Sequence, residues 1–181
     1  MAHRPDHPLV QRLWSEPGCR PWVVRDGAGV AGLLPRLNGL SGPSAPCWSC
    51  LFSGQLEPGV AELAPYLLEL PRQGPLPDWL LAGWGSHWGV YLLAPEAMDL
   101  AALRRQLRQL GLAYGPAGES LLFRWYDPRV LGLIAPTLNA VQLRELFGPV
   151  HSFVIEGNSA EQGRVLELAG GKLLDTRFPL Q

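Results

Sequence analysis

Lysine is all but missing from this chain: one Lys stands against fourteen Arg in 181 residues. Charge of either sign is scarce, with Asp, Glu, Lys and Arg making up 17% of the sequence, where a soluble domain usually has about a quarter. The formal net charge is −1. That argues against the basic footprint of a nucleic-acid binder and leaves room only for a local patch. No apolar run approaches the ~20 residues needed to cross a bilayer. The opening MAHRPDHPLVQRLW lacks the apolar stretch of a secretory signal. Three Cys are too few, and odd in number, for a disulfide framework. The expectation from these absences is a soluble cytoplasmic protein with no nucleic-acid and no membrane partner.

What is present is a hydrophobic fraction of 47%, seven Trp, 21 Gly and 18 Pro. The length suits roughly one domain, which can bury a core without staples. Gly and Pro make it loop-rich yet short of a disordered composition. Trp and Arg are the residues that dominate interface hot spots. The plainer reading is that most Trp are core residues and that the Arg excess reflects compositional bias.

Patterning predicts short elements. Strands are expected over 22–25, 48–52, 88–93, 121–126 and 151–155. Helices are expected over 30–37, 60–70, from Asp78 to Gly83, and over 97–110, where Leu100, Leu103, Leu107 and Leu110 share one face. Asp127-Pro128 reads as N-cap and first helical residue. Asn139 with Gln142 reads as a capping box. A further helix is expected over 160–169, before Gly170-Gly171. The resulting fold class is α/β (α+β), a mixed sheet with flanking helices in the N-terminal part and a more helical C-terminal part.

Several patterns invite chemistry. Cys47-Trp48-Ser49-Cys50 is a C-x-x-C, but a thioredoxin-type site needs a helix after it, and here Leu51-Phe52 continues as strand. Too few further ligands accompany it for zinc. The alternative of a thiol-redox protein using Cys47 and Cys50 stays open; buried, inert Cys is the simpler reading. Gly85-Ser86-His87 fails the nucleophile-elbow pattern because Trp84 and Trp88 replace its glycines. Gly27, Gly29 and Gly32 match G-x-G-x-x-G, but no full helix fits after them and no acid follows about 20 residues on. Arg104, Arg105 and Arg108 share one helix face; a solvated face is the ordinary reading, and docking of an acidic partner the functional one. Arg124-Trp125-Tyr126-Asp127-Pro128-Arg129 is the densest polar and aromatic cluster. If Arg124 is buried mid-strand, it requires a partner. Arg129, at the positive end of a helix, also calls for one.

Two stretches form recognisable signatures. One runs Trp84-Gly85-Ser86-His87-Trp88-Gly89-Val90-Tyr91-Leu92 and continues through Pro95 into the Arg-rich helix. The other runs from Leu122 through Arg124-Trp125-Tyr126-Asp127-Pro128-Arg129 to Pro136-Thr137-Leu138 and Phe147-Gly148-Pro149-Val150. Together they resemble the effector adaptor/chaperone family of the bacterial type VI secretion system (Tap/TEC type), long labelled only as a domain of unknown function. The likeness spans 21–155, after an irregular lead-in at 1–20 and before a C-terminal extension at 156–181. It implies a cytoplasmic, non-enzymatic adaptor with no cofactor and no metal or catalytic residues. Such an adaptor binds a toxic effector and promotes its loading onto the VgrG spike protein. It also implies that Trp84, His87, Trp88, Arg124, Tyr126, Asp127 and Arg129 either bind the partner or organise the two parts of the fold around a groove.

Overall fold

The computed structural model describes residues 7–42, 45–114 and 118–180. The lead-in's first six residues, and Pro43 and Ser44 of the loop before the C-x-x-C, therefore lie outside the described residues. The chain runs α1 (Pro8–Leu13), β1 (Cys19–Asp26), α2 (Leu33–Asn38), β2 (Trp48–Cys50), α3 (Pro58–Leu63), β3 (Pro65–Glu69), α4 (Pro75–Ala82) and β4 (Gly89–Pro95). It continues with α5 (Leu100–Gln109), β5 (Leu112–Tyr114), β6 (Ser120–Leu122), α6 (Pro128–Ile134), α7 (Ala140–Phe147), β7 (Ser152–Glu156), β8 (Gln162–Ala169) and β9 (Lys172–Pro179).

Seven strands make one sheet in the order β2-β3-β1-β4-β7-β8-β9, and every neighbouring pair is antiparallel. Side chains alternate across a strand, and both faces are buried. Trp22, Val24, Val90, Leu92, Phe153 and Ile155 point into one core, closed by Leu103 and Leu107 of α5, Leu131 of α6, and Leu143, Leu146 and Phe147 of α7. Val23, Tyr91, Leu93, Val154 and Val165 point into the other, closed by Leu9 and Leu13 of α1, Leu33 and Leu37 of α2, and Leu76 and Leu80 of α4. A separate hairpin, β5 with β6, sets Leu112 directly opposite Leu122.

The expectation of a mixed sheet with a more helical C-terminal part is overturned on both counts. The sheet is wholly antiparallel, and after α7 the chain is three strands in succession. The segment 160–169 is strand β8, paired along its length with β9. Gly170 and Gly171 both have positive φ, at 57° and 76°. That is the geometry of a two-residue hairpin turn whose twist matches the flanking strands, so the Gly-Gly pair is a hairpin turn and not a helix stop. The expected helix over 60–70 is also divided. Ala64 is extended (ψ 154°), as the residue before a proline prefers, so α3 stops and Pro65 begins β3. The strand expected over 121–126 ends at Leu122, and Trp125 and Tyr126 lie in a turn.

Local signals at other helix ends hold. The Asp127 carboxylate accepts from the Arg129 N–H, with Pro128 as the first residue of α6. Asn139 and Gln142 form the reciprocal capping box of α7. Helix α5 starts later than expected, at Leu100, where Asp99 caps the Ala102 N–H.

Candidate functional site

The residues singled out from sequence meet at one end of the sheet. Antiparallel pairing brings the end of β1, the start of β4, the end of β7 and the start of β8 side by side, with Arg25 opposite Gly89 and Glu156 opposite Gly163. Gly89 sits at φ 148°, and a Cβ there would collide with the Val24 carbonyl, so only glycine lets β4 enter beside β1.

Arg124 reaches from the turn after β6 to the buried carboxylate of Asp26 at the end of β1. The side chain is 47% exposed and lies past the end of β6, so Arg124, expected mid-strand, is instead a half-exposed tie between distant segments. The hydrogen bond to Asp26 raises the Arg124 pKa above its ordinary value. Burial and the Asp26 charge push the Tyr126 hydroxyl up to about 12. Burial disfavours the Asp127 carboxylate, but hydrogen bonds from the Arg129 side chain and main chain outweigh that and hold its pKa below the usual range. Arg129 closes on Asp127 with Nε at 3.0 Å and Nη2 at 2.7 Å, while its side chain remains 65% exposed.

His87 adopts the left-handed region, φ 56°, the one non-glycine residue to do so among those described. What holds it there is Glu156. The His87 main-chain N–H donates to both carboxylate oxygens at 3.1 Å, and Nδ1 stands 2.6 Å from Oε2. The Glu156 carboxylate is 4% exposed. His87, Arg129, Glu156 and Arg164 line one cleft of about 380 Å³. Arg164 is itself engaged by Asp175 at 2.6 Å and by the Gly132 carbonyl at 3.1 Å. Trp84 and Trp88 belong to the opposite core. Trp84 donates to the Ala160 carbonyl at 3.0 Å, and Trp88 packs on Trp79 with centroids 5.4 Å apart. A Cβ on Gly83 would run into the Trp88 ring.

This junction is occupied by its own side chains. Sequence reasoning named Asp127 and Arg129, which pair with each other, but named Arg124 and His87 without their partners. Asp26 read as half of a turn, and Glu156 fell just past the strand expected over 151–155, at the start of the C-terminal extension; nothing local marks either as a buried carboxylate.

Nothing at the C-x-x-C supports a thiol-redox role. Cys47 packs toward one core and Cys50 toward the other, as residues three apart on extended backbone must. Burial, then a hydrogen bond to Glu69 at 3.2 Å, pushes the Cys47 thiol up to about 11. Burial raises Cys50 as well. A reactive thiolate requires the opposite shift. At the glycine run, Gly27 packs against the carbonyls of Glu62 and Ala64, and the helix after it has six residues. Its role is close backbone approach, not phosphate binding. Among the described residues, no cluster of three or more His, Cys, Asp or Glu is placed to hold a metal ion, and no helix is long and apolar enough to cross a membrane.

A larger open feature lies beside the junction. A groove of about 840 Å³ runs between α5, the loop after β2 and the β5–β6 hairpin. Leu51, Phe52 and Leu56 form one wall; Arg104, Arg105 and Arg108 form another; Leu112 and Leu122 stand on the hairpin side; Trp125 and Tyr126 lie at its base. Leu112 and Leu122 are 59% and 57% exposed, an unusual state for a directly paired leucine couple. Arg104 clamps the loop wall in place, donating from Nε to the Cys50 carbonyl at 2.6 Å and from Nη2 to Phe52 at 3.1 Å. Tyr126 is the one candidate residue shared by the junction and the groove.

Neither the curated proteins nor the solved structures contain a match to this chain. The family described as "Domain of unknown function (DUF4123)" matches residues 22–145, from the third residue past the start of β1 almost to the end of α7. The match covers well over half of the chain and includes both signature stretches up to Glu145, and on that ground the protein belongs to the DUF4123 family.

Proposed function

We propose that this protein is a non-enzymatic cytoplasmic adaptor that binds a toxic effector of type VI secretion and promotes its loading onto the VgrG spike. The family membership and the two signature stretches support the reading. The observation that carries it is the groove, an open and largely apolar trough in the family-matched region with a pair of leucines left uncovered on its hairpin side. Exposed apolar surface of this kind marks a place where another molecule sits. In this reading the sheet and its two layers of helices are scaffold. The junction of Arg124 with Asp26 and of His87 with Glu156 holds the hairpin and α6 to that scaffold, so the groove keeps its shape.

The test is co-expression of the tagged chain with type VI effectors and VgrG proteins from its own genome, followed by affinity isolation and secretion assays in a deletion strain. A stable complex with one effector, and loss of that effector from the medium in the deletion strain, is the expected result. Association with neither effector nor spike, in cells that assemble the secretion machinery, overturns the proposal.

A further inference from the structure

The charge of the groove specifies more than its apolarity does. Among its described lining residues are three arginines and no Asp or Glu. Arg104 is committed to two main-chain carbonyls, which are neutral and leave its charge uncompensated. Arg108 touches the Ser53 hydroxyl, also neutral. Arg105 is exposed and has no hydrogen-bond or ion-pair partner among the described residues. The cleft beside His87 differs: both of its arginines have a carboxylate, Arg129 from Asp127 and Arg164 from Asp175. The groove is therefore a cationic wall facing an apolar one.

Resting on the adaptor reading above, we propose that the groove takes an acidic amphipathic segment of the partner protein. Its apolar side chains pack on Leu51, Phe52, Leu56, Leu112 and Leu122, and its carboxylates pair with Arg105 and Arg108. Three observations select a protein segment over other occupants. Arginines at consecutive turns of α5 suit a row of carboxylates. The opposite wall carries one half-buried ring, Phe52, among leucines, and not the row of exposed rings on which successive bases would stack. A chain with net charge −1 gives a nucleic acid little further attraction. Pairing charges at the rim of an apolar trough adds register and on-rate to the affinity that burial provides.

Two fluorescein-labelled peptides roughly four helical turns long test this by anisotropy with the full chain. Both carry Leu on one face; one carries Glu on the other face and the second carries Lys. The expected result is binding of the Glu peptide at least about tenfold tighter than the Lys peptide, weakening as salt rises. The double variant Arg105→Glu, Arg108→Glu, with Arg105 exposed and Arg108 half-buried on the groove side of α5, is expected to reverse that preference while its circular dichroism and melting temperature stay native. Leu122→Asp, also at an exposed position, is expected to lose the Glu peptide without loss of fold. Equal binding of the two peptides, no binding of either, or unchanged preference in the double variant overturns the proposal. So does displacement of the Glu peptide by a short oligonucleotide at equal concentration, or a native dimer that the double variant converts to monomer. The two readings fail separately. An effector captured equally well by the native chain and the double variant leaves the adaptor role standing and removes the groove as its site. A chain that captures no effector yet prefers the Glu peptide removes the adaptor role and keeps the groove's specificity.

Discussion

The junction and the groove sit side by side, share Tyr126, and have opposite economies of charge. At the junction Arg124 meets Asp26 and His87 meets Glu156, each carboxylate coming from a distant part of the chain, and Arg164 meets Asp175 across the β8–β9 hairpin. In the groove, Arg105 and Arg108 have no carboxylate partner among the described residues, and the leucine pair beside them is uncovered. The difference shows where to look for a partner in a protein like this one. A dense cluster of Arg, Trp, Tyr and Asp in sequence marks the place where the chain ties itself together. The open surface is where charge and apolar area are left over after that.

The comparison breaks most severely at the base the two regions share. Trp125 is fully buried and packs edge-on against Tyr126 and Phe153. Trp125→Ala is expected to cost about 3–5 kcal/mol, read as a large fall in melting temperature, and to abolish peptide binding with it. A stable variant would mean that the groove's base is not continuous with the core. Next comes Asp127→Ala, which removes an N-cap and is expected to cost about 1–2 kcal/mol. The carboxylate's native pKa lies below its unfolded value. Its stabilisation is therefore present above about pH 4, the ordinary Asp range, and disappears as pH falls through the native pKa. Urea midpoints of the native chain and the variant should converge as acid is added; a constant gap would dissociate the cap from the ionised form.

Arg129→Ala sharpens the contrast from the other side. The guanidinium reaches only its own helix cap and is mostly exposed, so the expected loss is under about 1 kcal/mol, with peptide and effector binding unchanged. Loss of binding in a native-like variant would move the docking surface onto the junction. Arg105→Ala is expected to shift stability by less than about 0.5 kcal/mol while weakening the acidic peptide; a stability loss instead would give Arg105 a structural partner. The smallest effect is expected at the C-x-x-C. With its pKa near 11, native Cys47 should alkylate at neutral pH on the order of a hundredfold more slowly than in the unfolded chain. The protonated thiol is the native form, so its contribution holds below about pH 9 and is lost as pH rises toward 11. Fast labelling of the folded protein would reopen the thiol reading.

Local chemistry made a good part of the fold legible. Asp127-Pro128, the Asn139–Gln142 box and the leucine stripe of α5 act within one or two turns, so they can be read without neighbours. Gly89 and Gly83 could not be read in that way, because each is dictated by what presses against it: the Val24 carbonyl and the Trp88 ring. The hairpin of β8 and β9 was misread because Glu161 to Leu168 has no firm period of its own, and the strand owes its form to pairing with β7 on one side and β9 on the other. Asp26 and Glu156 were missed as site residues for a related reason. Each is an ordinary acid until the turn carrying Arg124, or the left-handed His87, arrives from elsewhere in the chain.

Sequence alone determined the caps, the proline breaks, the apolar stripe, the arginine face and the signatures of the DUF4123 family, because each is written in neighbouring residues or in a pattern that survives without coordinates. Tertiary structure alone decided that the sheet is antiparallel throughout, that Arg124 and His87 meet the carboxylates of Asp26 and Glu156 from outside the signatures, and that the arginine face looks across at exposed leucines. Those outcomes depend on which strand lies beside which. Strand pairing is a long-range choice, settled by burying both faces of the sheet at once and not by any stretch of sequence acting by itself.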